Sequence, residues 1–182
     1  MDASKWFVMD ASKWFVIAGV VLVIGVAIWF IVRQVNEHFA QKDPILVKLK
    51  KKLMPLFDKS KVYTGVLSCI NNRDFMNEVT FYRGEKSYTI NKEKVYICLK
   101  DSKNGGAYYD EQILVYVLLH EISHALAVNT IGHTPEFHTM FDALLDEAAA
   151  RGIYDPKAEI PLDYCDVPDA GAQDLDDETF QV

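Results

Sequence analysis

The apolar positions of this chain change their spacing several times, and each spacing predicts a different element. From Trp14 to Val32 nineteen consecutive residues carry no charge, and Arg33 follows at once. That length matches a hydrocarbon core, with Trp14 at one end and Trp29 and Phe30 near the other, so the stretch predicts one transmembrane helix. Between Pro44 and Phe57 the residues Leu46, Leu49, Leu53, Leu56 and Phe57 fall on one side of a helix and lysines fill the rest. Such a helix either lies on an anionic membrane surface or packs its apolar side on a domain. From Lys61 to Lys100 the pattern shifts to β-branched and aromatic residues, predicting strands at 62–67, 79–82, 87–90 and 95–99. Polar breaks at 71–74, 83–86 and 91–94 read as turns.

Beyond Asn104-Gly105-Gly106 the period becomes helical. Residues Ile113 to Leu119 are apolar nearly all round, which predicts a helix in the protein centre with Asp110 as its N-cap. Phe137, Phe141, Leu144, Leu145 and Ala148 define a second helix, with Thr134 as N-cap, Pro135 at the first helical position and Gly152 closing it. The expectation is an α+β fold, a small and mainly antiparallel sheet packed on a core helix and a second helix, behind an N-terminal transmembrane helix. The chain divides into an N-terminal segment at 1–13, the span at 14–32, a basic juxtamembrane helix or linker at 33–60, a domain at 61–154 and an acidic tail at 155–182. The octapeptide Met-Asp-Ala-Ser-Lys-Trp-Phe-Val occurs at 1–8 and again at 9–16, too short a unit for a repeat architecture.

Charge refines this picture. The formal net charge is −7, yet 155–182 holds nine acidic side chains against Lys157 alone, so the acidity belongs to the tail, most of which is expected to be disordered. Lys5 and Lys13 precede the span, whereas Arg33, Lys42, Lys48, Lys50, Lys51, Lys52, Lys59 and Lys61 follow it; this bias puts the domain on the cytoplasmic side, a viral membrane included. Cys69, Cys98 and Cys165 are odd in number and widely spaced, with no disulfide or CxxC pattern, which agrees with a reducing compartment.

The candidate chemistry sits on the core helix, in His120-Glu121-Ile122-Ser123-His124. Histidines four apart share a helix face, so the rings of His120 and His124 can converge on one cation, and Glu121 is one step round. Zinc accepts neutral imidazoles readily, lowers the pKa of a bound water to about 7, and leaves work for a carboxylate base. Burying two histidines and a glutamate in so apolar a helix is costly without a purpose. Four of the five histidines fall between His120 and His138. His133, at the entrance of the second helix, is the favoured third ligand. His138 is the other candidate, although it points about 140° round that helix. Glu136, Asp142 and Asp146 read as a solvated face, and Tyr154 or Tyr164 could serve an oxyanion.

The segment from Leu118 to about Leu145 resembles the zinc-metallopeptidase group that includes the SprT-like (Spartan) and WLM (Wss1-like) domains. The resemblance rests on His120-Glu121-Ile122-Ser123-His124 and on Gly132-His133-Thr134-Pro135-Glu136-Phe137, which is similar to the Gly-His-x-Pro-x-Phe form of SprT-like members. It implies a zincin-like fold, one Zn²⁺ per chain held by His120, His124 and His133, Glu121 as general base, and proteolysis of a protein or peptide substrate. Relatives in that group often act on DNA-bound proteins, but no basic nucleic-acid module is visible here and no nucleic-acid partner is expected. The alternative reading is a membrane-anchored structural or assembly protein, for example of a virion, that keeps the fold without turnover.

Overall fold

The computed structural model describes residues 11–71, 73–127, 131–161 and 164–166. Ten of the sixteen residues of the duplicated octapeptide, and the acidic tail from 167 onward, lie outside the described residues. The chain forms two compact units, one ending at Phe39 and one beginning at Ala40.

Nearly all of helix α1, Ala11–Gln41, belongs to the first unit, and its stretch from Lys13 to Gln41 is long and apolar enough to cross a membrane. It contains the predicted span and continues beyond it. Its large apolar side chains are exposed along the whole helix, which is compatible with membrane association. At the polar end Arg33 pairs with Glu37 at 3.3 Å and lies 5.6 Å above the Trp29 ring.

The second unit begins with α2, Pro44–Leu53, capped by the Asp43 carboxylate, which accepts the Ile45 amide at 3.0 Å. Leu46, Leu49, Leu53, Leu56 and Phe57 are all buried in the core. Of the two readings of this helix, packing on the domain is the one observed. The compact unit therefore starts at Ala40 rather than at residue 61, because the leucine stripe supplies part of its core. Lys48 and Lys52 reinforce the packing through ion pairs to Glu111.

Residues 62–67 are not a strand. Gly65 takes φ +65° and opens a 3-10 turn over Gly65–Ile70, a left-handed geometry that glycine adopts freely. The Asn71 side chain accepts the Tyr63 amide at 2.7 Å and donates to its carbonyl at 2.8 Å. It supplies the hydrogen bonds a neighbouring strand would have given. A short helix, α3 (Phe75–Glu78), follows.

The sheet contains β1 (Thr80–Gly84), β2 (Tyr88–Ile90) and β3 (Lys94–Cys98) in the order β1-β3-β2. Its β1–β3 pair is parallel and its β2–β3 pair antiparallel, so the sheet is mixed rather than mainly antiparallel. The cause is burial. Val95, Ile97 and Cys98 of β3 are buried while β2 is largely exposed, so β3 takes the centre and leaves β2 at the edge. Three residues, 91–93, connect them; Asn91 and Lys92 both take positive φ (51° and 58°) and the Glu93 amide donates to the Ile90 carbonyl at 3.1 Å, the geometry of a type I′ turn. The hairpin of β4 (Lys100–Asp101) and β5 (Ala107–Tyr108) then leads to α4 (Glu111–Leu126). Asp110 caps α4 by accepting the Gln112 amide at 2.8 Å.

Helix α5, Pro135–Ala150, packs against α4. Its cap is Thr134, whose hydroxyl accepts the Phe137 amide at 3.3 Å, and Gly152 ends it at φ +65°. Leu114, Leu118, Leu119, Phe137 and Phe141 are 0–1% exposed, placing the centre of the core at the α4–α5 contact. Leu118→Ala will lower the unfolding free energy by about 3 kcal/mol, read as an earlier urea midpoint at unchanged slope.

One expectation about the cysteines is corrected. Cys98 at the end of β3 and Cys165 are joined by a disulfide, with Cα atoms 6.3 Å apart, and Cys69 is the free thiol. The pairing spans 67 positions and arises because the chain after Gly152 returns to the sheet. Sequence spacing carries no trace of that.

Candidate metal centre

Helix α4 has to bury one face against the sheet and another against α5, and the histidines lie where α5 begins. His120 and His124 stand one turn apart. Gly132, at φ +79°, bends the chain so that His133 reaches back to them from just before the Thr134 cap. Nε2 of His133 lies 3.0 Å from Nε2 of His120 and 3.2 Å from Nε2 of His124. One ring nitrogen from each residue falls within a common 4.8 Å. Nitrogens bound to one zinc at 2.0–2.1 Å in a tetrahedron are separated by about 3.4 Å. The two distances from His133 are close to that edge and the third is bounded by 4.8 Å, so the donor set fits a cation held by three imidazoles.

Phe137 makes this arrangement rigid. Fully buried, it stacks on His124 at 4.2 Å and meets His120 and His133 edge-on at 4.9 and 4.8 Å. Phe141, stacked beside Phe137 at 5.9 Å, also meets His120 edge-on at 5.2 Å. Of the pattern that includes His133 and Phe137, the histidine provides a nitrogen and the phenylalanine fixes where three rings point. His138 has its ring 6.3 Å from that of His133 and stays outside the three-histidine cluster. Glu136, Asp142 and Asp146 are exposed. Tyr154 packs on Tyr116 and the Tyr164 hydroxyl donates to the Cys98 carbonyl.

Glu121 is 5% exposed. Burial pushes its carboxyl up to about 8, opposed by the hydrogen bond from Thr89. Thr89, on edge strand β2, was not singled out in the sequence, since nothing in a strand pattern ties it to a helix thirty residues on. Its Oγ1 lies 2.8 Å from Glu121 Oε2 and 2.9 Å from the Glu121 carbonyl oxygen. A hydroxyl has one proton, so it cannot donate to both. With Glu121 protonated, the carboxyl donates to Thr89 and Thr89 donates to the carbonyl; with Glu121 ionised, the Thr89 proton turns to Oε2. The hydroxyl therefore accommodates either state of the acid.

The histidines shift the opposite way. Burial, then the neighbouring rings, holds His120 well below 6.5, and burial takes His124 down to about 3. Both are neutral at pH 7, the state in which imidazole binds metal. In metal-stripped protein these shifts determine how stability varies with pH. A histidine whose pKa is depressed on folding binds fewer protons than in the unfolded chain, so stability rises with pH up to about 6.5. Glu121, raised on folding, adds stability that is full below about 4.5 and lost as pH climbs towards 8. With two histidines acting against one carboxyl, the melting temperature of stripped protein should peak near pH 6.5 and decline towards pH 8. A cation among the rings favours ionised Glu121, so zinc should abolish the alkaline decline. Scanning calorimetry across this range, with and without zinc, checks both.

Comparison with known proteins places the chain among viral proteins. It is 40% identical over 145 residues to the protein named "Uncharacterized protein 136R" of Invertebrate iridescent virus 6, covering 75% of this chain and 81% of that one. It is 34% identical over 155 residues to "Uncharacterized protein 042R" of Invertebrate iridescent virus 3, covering 79% and 96%. To "Uncharacterized protein R325" of Acanthamoeba polyphaga mimivirus it is 30% identical over 117 residues, covering 59% and 57%. No protein-family profile and no solved structure matches it. At this identity and coverage, the chain belongs to the viral protein family that includes 136R of Invertebrate iridescent virus 6 and 042R of Invertebrate iridescent virus 3.

Proposed function

We propose that this protein is a zinc-dependent metallopeptidase anchored in a viral or infected-cell membrane by α1. The observation that carries the reading is the convergence of three imidazoles beside a buried carboxyl that has no ion-pair partner among the described residues. A purely structural metal site closes its coordination with a fourth protein ligand and needs no base. Here three histidines and an adjacent acid match a catalytic donor set.

His120, His124 and His133 would hold the zinc, with Phe137 against all three rings and Phe141 against His120 keeping them aimed. Zinc, when bound, supplies a Lewis acid that brings a water into its ionising range near neutral pH and polarises a carbonyl. Glu121 takes the proton released as water attacks the peptide carbon and passes it to the leaving amine. Thr89 holds the Glu121 carboxylate by one oxygen and leaves the other free for that exchange. The apolar surroundings of Glu121 raise its basicity and so improve it as a proton acceptor. The lysine-rich flank after α1 supports a domain on the cytoplasmic side.

The test is cleavage of an unfolded protein such as casein by the full chain in detergent micelles. Cleavage should require zinc, stop with chelator and return on zinc addition. A zinc-loaded chain that cuts nothing would leave the assembly-protein reading in its place. Thr89→Val, which keeps shape but removes the hydroxyl, should slow cleavage by roughly 10-fold or more at unchanged zinc content, whereas Thr89→Ser should stay near the parent rate.

A further inference from the structure

The Cys98–Cys165 disulfide takes no part in the chemistry above, yet it sits at the root of the strand that carries Thr89. Cys98 ends β3, and its amide donates to Ser87 Oγ at 3.0 Å. Ser87 Oγ lies 3.3 Å from the Tyr164 hydroxyl, which donates to the Cys98 carbonyl. These three residues close a ring of hydrogen bonds at the entrance to β2, two positions before Thr89. Tyr164 is 5% exposed and tilted on Tyr109 at 4.7 Å, and the Tyr109 hydroxyl accepts the Cys165 amide at 2.9 Å. Glu121 is near enough for its charge to act on the Tyr164 phenol, which burial pushes upward.

Cys165 itself has φ 53° and ψ 39°, a left-handed geometry that a non-glycine residue keeps only while its surroundings impose it. The disulfide is the covalent part of those surroundings. The lysine-rich flank after α1 favours the cytoplasmic side, where thiols are normally kept reduced. A disulfide in such a place is not a permanent staple, because its state follows the local redox balance.

We propose that Cys98 and Cys165 form a redox latch. Oxidised, the pair holds Tyr164–Asp166 against the sheet and fixes the β2 entrance; reduced, the segment leaves and β2 loosens beside Glu121. In opening, a dithiol or phosphine reductant supplies two electrons, the S–S bond breaks, and each sulfur takes a proton to become a thiol. A dithiol ends as its own disulfide, and a phosphine takes oxygen from water and ends as the phosphine oxide. Closing is the reverse, with two electrons passing to a disulfide-donating oxidant. The latch does not depend on the metal reading, since its readout is structural.

The experiment is hydrogen exchange on the full chain in detergent micelles, purified without reductant, before and after a water-soluble phosphine, alongside the variant Cys98→Ala/Cys165→Ala. Alkylation before reduction should label Cys69 alone. Reduction should accelerate exchange at Tyr164–Asp166 and Tyr88–Thr89 by at least about tenfold while the middle of α4 stays protected. The double variant should exchange like reduced protein, with no response to phosphine. The proposal is overturned if Cys98 and Cys165 are alkylated without reduction, if reduction leaves both segments unchanged, or if protection collapses throughout α4 and α5, which would make the bond a global staple.

Discussion

His133→Ala will lower the zinc affinity of the full chain by more than about 100-fold while leaving its helices intact. Loss of an outer partner of a metal ligand costs roughly 10–100-fold, and removing a ligand costs more. The structure gives His133 a central place, because its Nε2 is the atom within 3.0 and 3.2 Å of both other nitrogens. The pair on α4 alone would be a two-point site. The fold should survive, because His133 precedes the Thr134 cap and the buried apolar face of α5 begins at Phe137. Competition with a chromophoric zinc chelator measures the affinity, and circular dichroism checks the fold. His138→Ala, one ring further out, should bind zinc like the parent; if it were the variant that lost the metal, the ligand set would be wrong.

Glu121→Gln should retain zinc and lose cleavage by about 1,000-fold, in the middle of the range for removal of a positioned general base. That factor corresponds to about 4 kcal/mol of transition-state stabilisation. Glutamine has the same shape and can still accept from the Thr89 hydroxyl, so the substitution removes the proton acceptor and little else. It also removes a buried ionisable group, and the alkaline loss of stability in metal-stripped protein should vanish with it. The variant thus has a calorimetric signature that does not depend on finding a substrate. If Glu121→Gln cleaved at the parent rate, the base would have to be another residue and the mechanism would fail.

What could be read from the sequence was local. The four-residue spacing of His120 and His124 needs only a helix to become a shared face, and the apolar run before it predicted that helix. Thr134-Pro135 marked where α5 begins, which placed His133 at a fixed corner. The features that escaped depend on contacts between distant segments. Thr89 meets Glu121 only because β2 is the edge strand beside α4, and strand order cannot be read from alternation. Residues 62–67 have strand-like composition, yet Gly65 and the Asn71 side chain turn them into a loop. Cys98 and Cys165 pair across 67 positions because Tyr164 finds a pocket formed by Tyr109 and Ser87. The parallel β1–β3 pairing joins segments separated by β2 in the chain, a property of the packed molecule.

The measurement that tests the central claim most directly is elemental analysis of the full chain, purified in detergent without added metal and without chelator. The account predicts close to one zinc per chain, with the metal lost from His133→Ala and kept by Glu121→Gln. A chain that holds no zinc, even after incubation with excess zinc at neutral pH, would contradict it.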